Sequence, residues 1–132
     1  MGTPNPLADV VNRGDWVKAN LPLVCTQITL ADDAEVELCD SADGDGDCVF
    51  VIYTSESTDG ACFLIVGVDI SGPTTELFLD KTAAASASIG SITDQDGKIC
   101  VYPPAASTKV MLKNRLGESL VYTIFRVSNP RS

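Results

Sequence analysis

Val49-Phe50-Val51-Ile52-Tyr53-Thr54 and Cys62-Phe63-Leu64-Ile65-Val66-Gly67-Val68 are the two stretches whose reading decides the fold. Both are nearly unbroken runs of apolar, mostly β-branched or aromatic residues, too short for a membrane-spanning helix and rich in the types that favour strands. Asp59-Gly60 between them carries turn chemistry, so the pair reads as two strands from the middle of a sandwich. Outward from this centre the same texture repeats. Leu23–Leu30 is rich in Val, Ile and Thr, and Ala34–Leu38 alternates Ala34, Val36 and Leu38 inward with Glu35 and Glu37 outward. Glu76–Leu79, Lys98–Tyr102, Val110–Asn114 and Leu120–Val127 bring the count to about eight. Asp43-Gly44-Asp45-Gly46, Ser71-Gly72-Pro73, Asp96-Gly97, Pro103-Pro104 and Leu116-Gly117 punctuate them. Lys81–Ser88, an Ala/Ser tract, is the best helix candidate and a weak one.

The expected architecture is therefore all-β, a single β-sandwich over residues 21–132 with jelly-roll topology as the reference arrangement. Residues 1–20, with Pro4, Pro6 and few large apolar side chains before Trp16, read as an extended N-terminal arm. At 132 residues the chain has room for one core. Met1–Pro6 lacks the basic start and apolar stretch of a signal peptide, so export by that route is not expected, and no membrane partner is expected either.

A net charge of −9 makes nucleic acid a poor partner. Charge is unevenly placed: six of the nine basic side chains lie after residue 97, where Glu118 is the sole acid. On a regular strand Lys109, Met111, Lys113 and Arg115 share one face, while Val110, Leu112 and Asn114 share the other. Two readings of that strip stand side by side. It docks on an acidic neighbour, or it pairs with acidic strands of its own sheet. Trp16 is the further candidate contact, with burial as an anchor at one end of the sandwich as its alternative.

The chain has no histidine, which removes Ser-His-Asp and Cys-His nucleophile systems. It has no nucleophile elbow or phosphate-cradling loop, and no enzymatic activity or cofactor is expected. Asp43, Asp45 and Asp47 repeat the spacing of a calcium loop. The resemblance to an EF-hand loop stops there, because Cys48 stands where Gly is needed and Thr54 where the bidentate Glu belongs. The acidic tip reads as a solvated hairpin with a weak calcium site as its alternative. Arg13-Gly14-Asp15 is a three-residue match of the kind chance supplies often. The five cysteines, Cys25, Cys39, Cys48, Cys62 and Cys100, are odd in number, lack C-x-x-C spacing and sit in or beside apolar runs, as buried thiols do.

Gly60–Ile65, Glu76–Lys81 and Gly97–Tyr102, the last leading to Lys113-Asn114-Arg115-Leu116-Gly117 and Tyr122, carry a family likeness. Over residues 23–127 the sequence resembles the small β-sandwich virion structural proteins of tailed bacteriophages, the class that decorates or cements capsids. That resemblance implies a protein made in the host bacterial cytoplasm and located on the capsid surface of the virion. It also implies the major capsid protein as partner and a homo-oligomer, often a trimer. A phage tail-fibre or receptor-binding domain and a secreted carbohydrate- or protein-binding module are the alternatives.

Overall fold

The computed structural model describes residues 23–44, 46–58, 60–82 and 88–128. Among them the chain is built from nine strands and one short 3-10 turn, with no α-helix. In chain order the strands are β1 (Leu23–Leu30), β2 (Glu35–Asp40), β3 (Cys48–Glu56), β4 (Gly60–Asp69), β5 (Thr74–Thr82), β6 (Gly90–Ser91), β7 (Ile99–Tyr102), β8 (Lys109–Asn114) and β9 (Leu120–Ser128). They form a five-stranded sheet in the order β1-β9-β3-β4-β5 and a four-stranded sheet in the order β2-β8-β7-β6. The expected all-β sandwich is what the chain adopts. Trp16, the arm of residues 1–20, Asp45 and most of the Ala/Ser tract lie outside the described residues.

The outer half of the topology follows a jelly roll. β1 lies antiparallel beside β9 and β2 beside β8, and the chain crosses between sheets at both β1–β2 and β8–β9. The inner half departs from it. β3 and β4 pair as a hairpin from Cys48↔Val68 to Glu56↔Gly60, and β5 continues the same sheet. The tight turn before Gly60, which sits at φ +71, gives the chain no length in which to cross to the other layer. The ninth strand, β6, has only two residues and carries too little apolar character to announce itself. It pairs parallel to β7, and the Asp80 carboxylate holds it there by accepting hydrogen bonds from the Ile89 and Gly90 amides (2.8 and 3.0 Å) and from the Ser88 hydroxyl. Gly90 leaves room for the core: a Cβ there would stand 2.7 Å from Leu64 Cδ2 and 3.2 Å from Leu77 Cδ2, so any side chain would have to displace Leu64.

The core lies between the sheets. Phe50 and Ile52 of β3, Leu64 and Val66 of β4, and Tyr122 of β9 meet Ile99 and Val101 of β7 and Val110 and Leu112 of β8. Cys39 on β2 and Cys48 on β3 bring their sulfurs to 3.9 Å across the two layers, within sulfur hydrogen-bond range and well beyond the roughly 2.05 Å of a disulfide. Asn114, fully buried at the end of β8, ties both crossovers down. Its amide donates to the Leu30 (2.9 Å), Ala31 (3.3 Å) and Glu118 (2.7 Å) carbonyls, and its oxygen accepts from the Tyr122 hydroxyl (3.0 Å). Burial pushes the Tyr122 phenol upward, so it stays a neutral donor throughout the physiological range.

Candidate interaction surface

The two sheets present opposite kinds of outer face. On the four-stranded sheet the face is charged and internally paired. β8 alternates as its sequence requires, with Val110, Leu112 and Asn114 buried and Lys109, Met111 and Lys113 turned outward. Lys109 Nζ stands 3.2 Å from Glu37 of β2, and Lys113 Nζ 3.1 Å from Asp94. Arg115 bridges Asp33 (3.2 Å), Asp94 (3.1 Å) and Asp96 (3.7 Å). Met111, half-buried, sits in register with Glu37 on one side and Tyr102 on the other, and Tyr102 donates to Glu35 at 2.8 Å. Every charge of the basic strip therefore meets an acid of its own domain, which is the second of the two readings of Lys109, Met111, Lys113 and Arg115.

These pairs make a prediction about acid. The Lys113 hydrogen bond, together with the Lys113 and Arg115 charges, holds Asp94 below the ordinary carboxylate value of 3.8. Hydrogen bonds from Thr108 and from the Ala42 amide do the same for Asp40. A carboxyl whose folded value is depressed contributes stability above its unfolded value and loses that contribution as pH falls through the folded one. The Tm gap between wild type and Asp94→Asn should accordingly be open at pH 7 and narrow as pH falls below 3.8 through the lowered folded value. A gap that is the same at both ends would show that the Asp94 cluster contributes nothing through its charge.

The acidic segment joins β2 to β3 across the two sheets and so is not the hairpin expected, and its described members Asp43 and Asp47 turn to different partners. Asp47 turns its carboxylate to the Ile70 amide (2.9 Å), and Asp43 instead groups with Glu37 and Asp40, their oxygens lying within 4.8 Å of one another. Two members of that group are already engaged, Glu37 by Lys109 and Asp40 by Thr108 and Ala42.

The five-stranded sheet is different. β3 has the burial pattern of strict alternation, with Cys48, Phe50, Ile52, Thr54 and Glu56 inward. Yet the residues turned outward, Val49, Val51 and Tyr53, are apolar too and 38–40% exposed. Among the described residues the central strands are thus covered on one face only, where their continuous apolar sequence suits cover on both. Cross-strand register makes a grid of the outer face. Its middle row runs Cys25, Phe125, Val51, Ile65, Leu79 from β1 to β5. On one side of it lies the row Val127, Val49, Gly67, Glu76, and on the other the row Gln27, Thr123, Tyr53, Phe63, Lys81.

Two local features give this face relief. A bulge opposite Ile65/Val66 leaves Phe78, 62% exposed, as the extra residue of β5. Its ring lies over Gly67, where a Cβ would meet Phe78 Cε2 at 2.5 Å. Beside it an open groove of about 550 Å³ is lined by Val49, Gly67, Glu76, Phe78 and Val127. At the other end of the same face Tyr53 and Phe63 pack with ring centroids 5.2 Å apart, tilted by 39°, in register with Thr123 and Gln27. Among the described residues no ion pair joins side chains of this face. Its width is about four strand spacings and its height about six residues, so the patch covers roughly 400 Å². The largest apolar patch of a soluble monomer is commonly of this size and often functional.

Comparison with protein-family models, curated proteins and solved structures finds no match to this chain.

Proposed function

We propose that this protein is a structural assembly module, of the kind that decorates or cements the shell of a tailed-phage particle, and that it attaches through the outer face of its five-stranded sheet. The observation that carries the reading is the contrast between the two outer faces. One is saturated with internal ion pairs and is at home in water. The other exposes Val49, Val51, Tyr53, Phe63, Phe78, Val121, Phe125 and Val127 together. Leaving so much apolar surface in water forgoes about 25 cal/mol per Å², a cost that covering it removes. The lack of histidine and of a nucleophile system supports a role in binding instead of catalysis.

The test is the particle itself. Virions purified from the source of this sequence should contain the chain in many copies, on the head, as mass spectrometry and immunogold imaging would record. A tail position would favour a second reading, a fibre or receptor-binding domain, for which the groove and the exposed Tyr53–Phe63 pair are the supporting features. Absence from particles would end both.

A further inference from the structure

Cys39 and Cys48 belong to opposite sheets and hold their sulfurs 3.9 Å apart, and we infer that they are an oxidation site, closed by a peroxide into a disulfide that staples the two layers together. Local strand geometry alone would part them. Glu35 and Glu37 of β2 point outward, so strict alternation would send Cys39 outward too. The bulge between Glu37 and Cys39 resets the phase and sets Cys39 opposite Val110, a core residue. The sequence neighbours of both cysteines are tied down. The Asp40 carboxylate accepts from the Thr108 hydroxyl (2.6 Å) and the Ala42 amide (2.9 Å), and the Asp47 carboxylate from the Ile70 amide (2.9 Å). The sulfurs therefore face each other before any bond forms. Closing from 3.9 Å to the roughly 2.05 Å of a disulfide leaves about 1.9 Å for side-chain rotation and slight strand movement. The other two buried thiols are differently engaged, Cys62 with the Gly60 carbonyl (3.4 Å) and Cys100 with that of Gln95 (3.2 Å).

Hydrogen peroxide, little larger than water, suits so enclosed a site. Cys48 borders the open groove and is the more exposed of the two (6% against 1%), so it meets the oxidant first. Its sulfur attacks one peroxide oxygen, the O–O bond breaks, and a sulfenic acid forms with release of one water. The Cys39 sulfur then displaces the hydroxyl from Cys48, which makes the S–S bond and releases a second water. The two thiols together lose two electrons and two protons, and the peroxide takes up both as it becomes two waters. The link closes a ring of about ten residues. It restricts the unfolded chain far more than the folded one, where the two sulfurs are already neighbours.

The test uses the full chain, purified in reductant, moved into millimolar hydrogen peroxide and then capped with N-ethylmaleimide in denaturant. Cleavage before aspartate separates residues 33–39 from residues 47–58. Mass spectrometry should find those two peptides joined and lighter than their sum by two hydrogens. The oxidised chain should melt roughly 5–10 °C above the reduced one, and dithiothreitol should reverse the rise. Cys48→Ala, treated in the same way, should show no such rise, which separates the link from any oxidation of the exposed Cys25. Recovery of Cys39 and Cys48 as capped thiols under conditions that oxidise Cys25 overturns the inference. So does a link from either of them to another cysteine, or a Cys39–Cys48 link that leaves the Tm unchanged or lowers it.

Discussion

Asn114→Leu should lower the stability of the isolated domain by about 3–5 kcal/mol, one of the largest effects available to a single substitution here. Leu keeps the branched outline of Asn but is bulkier, so overpacking of the buried site adds to the loss. The loss lies in the groups that Asn114 bonds, the Leu30 and Glu118 carbonyls, the Tyr122 hydroxyl and the Leu116 amide, while the Ala31 carbonyl keeps the Ala34 amide. Each orphaned buried group costs about 1–3 kcal/mol, and relaxation recovers part of it. For a domain of this size the change corresponds to a fall in Tm of roughly 10–20 °C. Asn114→Asp separates hydrogen bonding from shape. It keeps an acceptor for Tyr122 but aims a carboxylate at three carbonyls, so its folded pKa must rise. Stability of that variant is then retained below the unfolded value near 3.9 and lost as pH climbs through the raised one, opposite in sign to the Asp94 effect. Thermal melts at pH 4 and pH 7 read both. A drop under about 1 kcal/mol for Asn114→Leu would mean that the crossovers are held by their backbone bonds alone.

Val51→Lys combined with Phe125→Lys should abolish association, by about 100-fold or more, while leaving the fold in place. The two side chains are neighbours in register at the centre of the outer face, and each is about two-fifths exposed in the free domain. In the free state the new ammonium groups reach water, and the stability change should stay near 1 kcal/mol. In the complex they would be desolvated without partners, at a cost of several kcal/mol. Light scattering gives the association and thermal melting the control. If the double variant assembles normally, the apolar face is not the contact surface.

Much of the architecture can be read directly from the residues, because period-2 patterning and turn chemistry act locally. β1 begins and ends where the Val/Ile/Thr-rich run does, and Ala34, Val36 and Leu38 face inward as their alternation with glutamate requires. β6 escapes such a reading, since two residues held by Asp80 from another strand are a tertiary product. The interaction surface was half visible. An antiparallel sandwich strand that faces water on one side should alternate, and Val49 to Thr54 does not. That departure was itself the signal, but it suits a strand covered on both faces equally well, and only the burial of alternate residues on β3 separates the two. The basic strip on β8 was half legible for the converse reason. Its facing was right and its partners, Glu37 and Asp94 above all, lie 72 and 19 positions away in sequence, beyond the reach of local pattern.

Hydroxyl-radical footprinting puts the central claim to its most direct test. Tyr53, Phe63, Phe78 and Phe125 report on the outer face, and Tyr102 on the opposite sheet serves as the internal control. With the protein assembled, at concentrations or in particles where it associates, oxidation of the four outer-face rings should fall several-fold relative to the dilute chain, with Tyr102 unchanged. Equal labelling of the four rings in both states would contradict the account, since a face that carries the assembly cannot stay as wet as it was before.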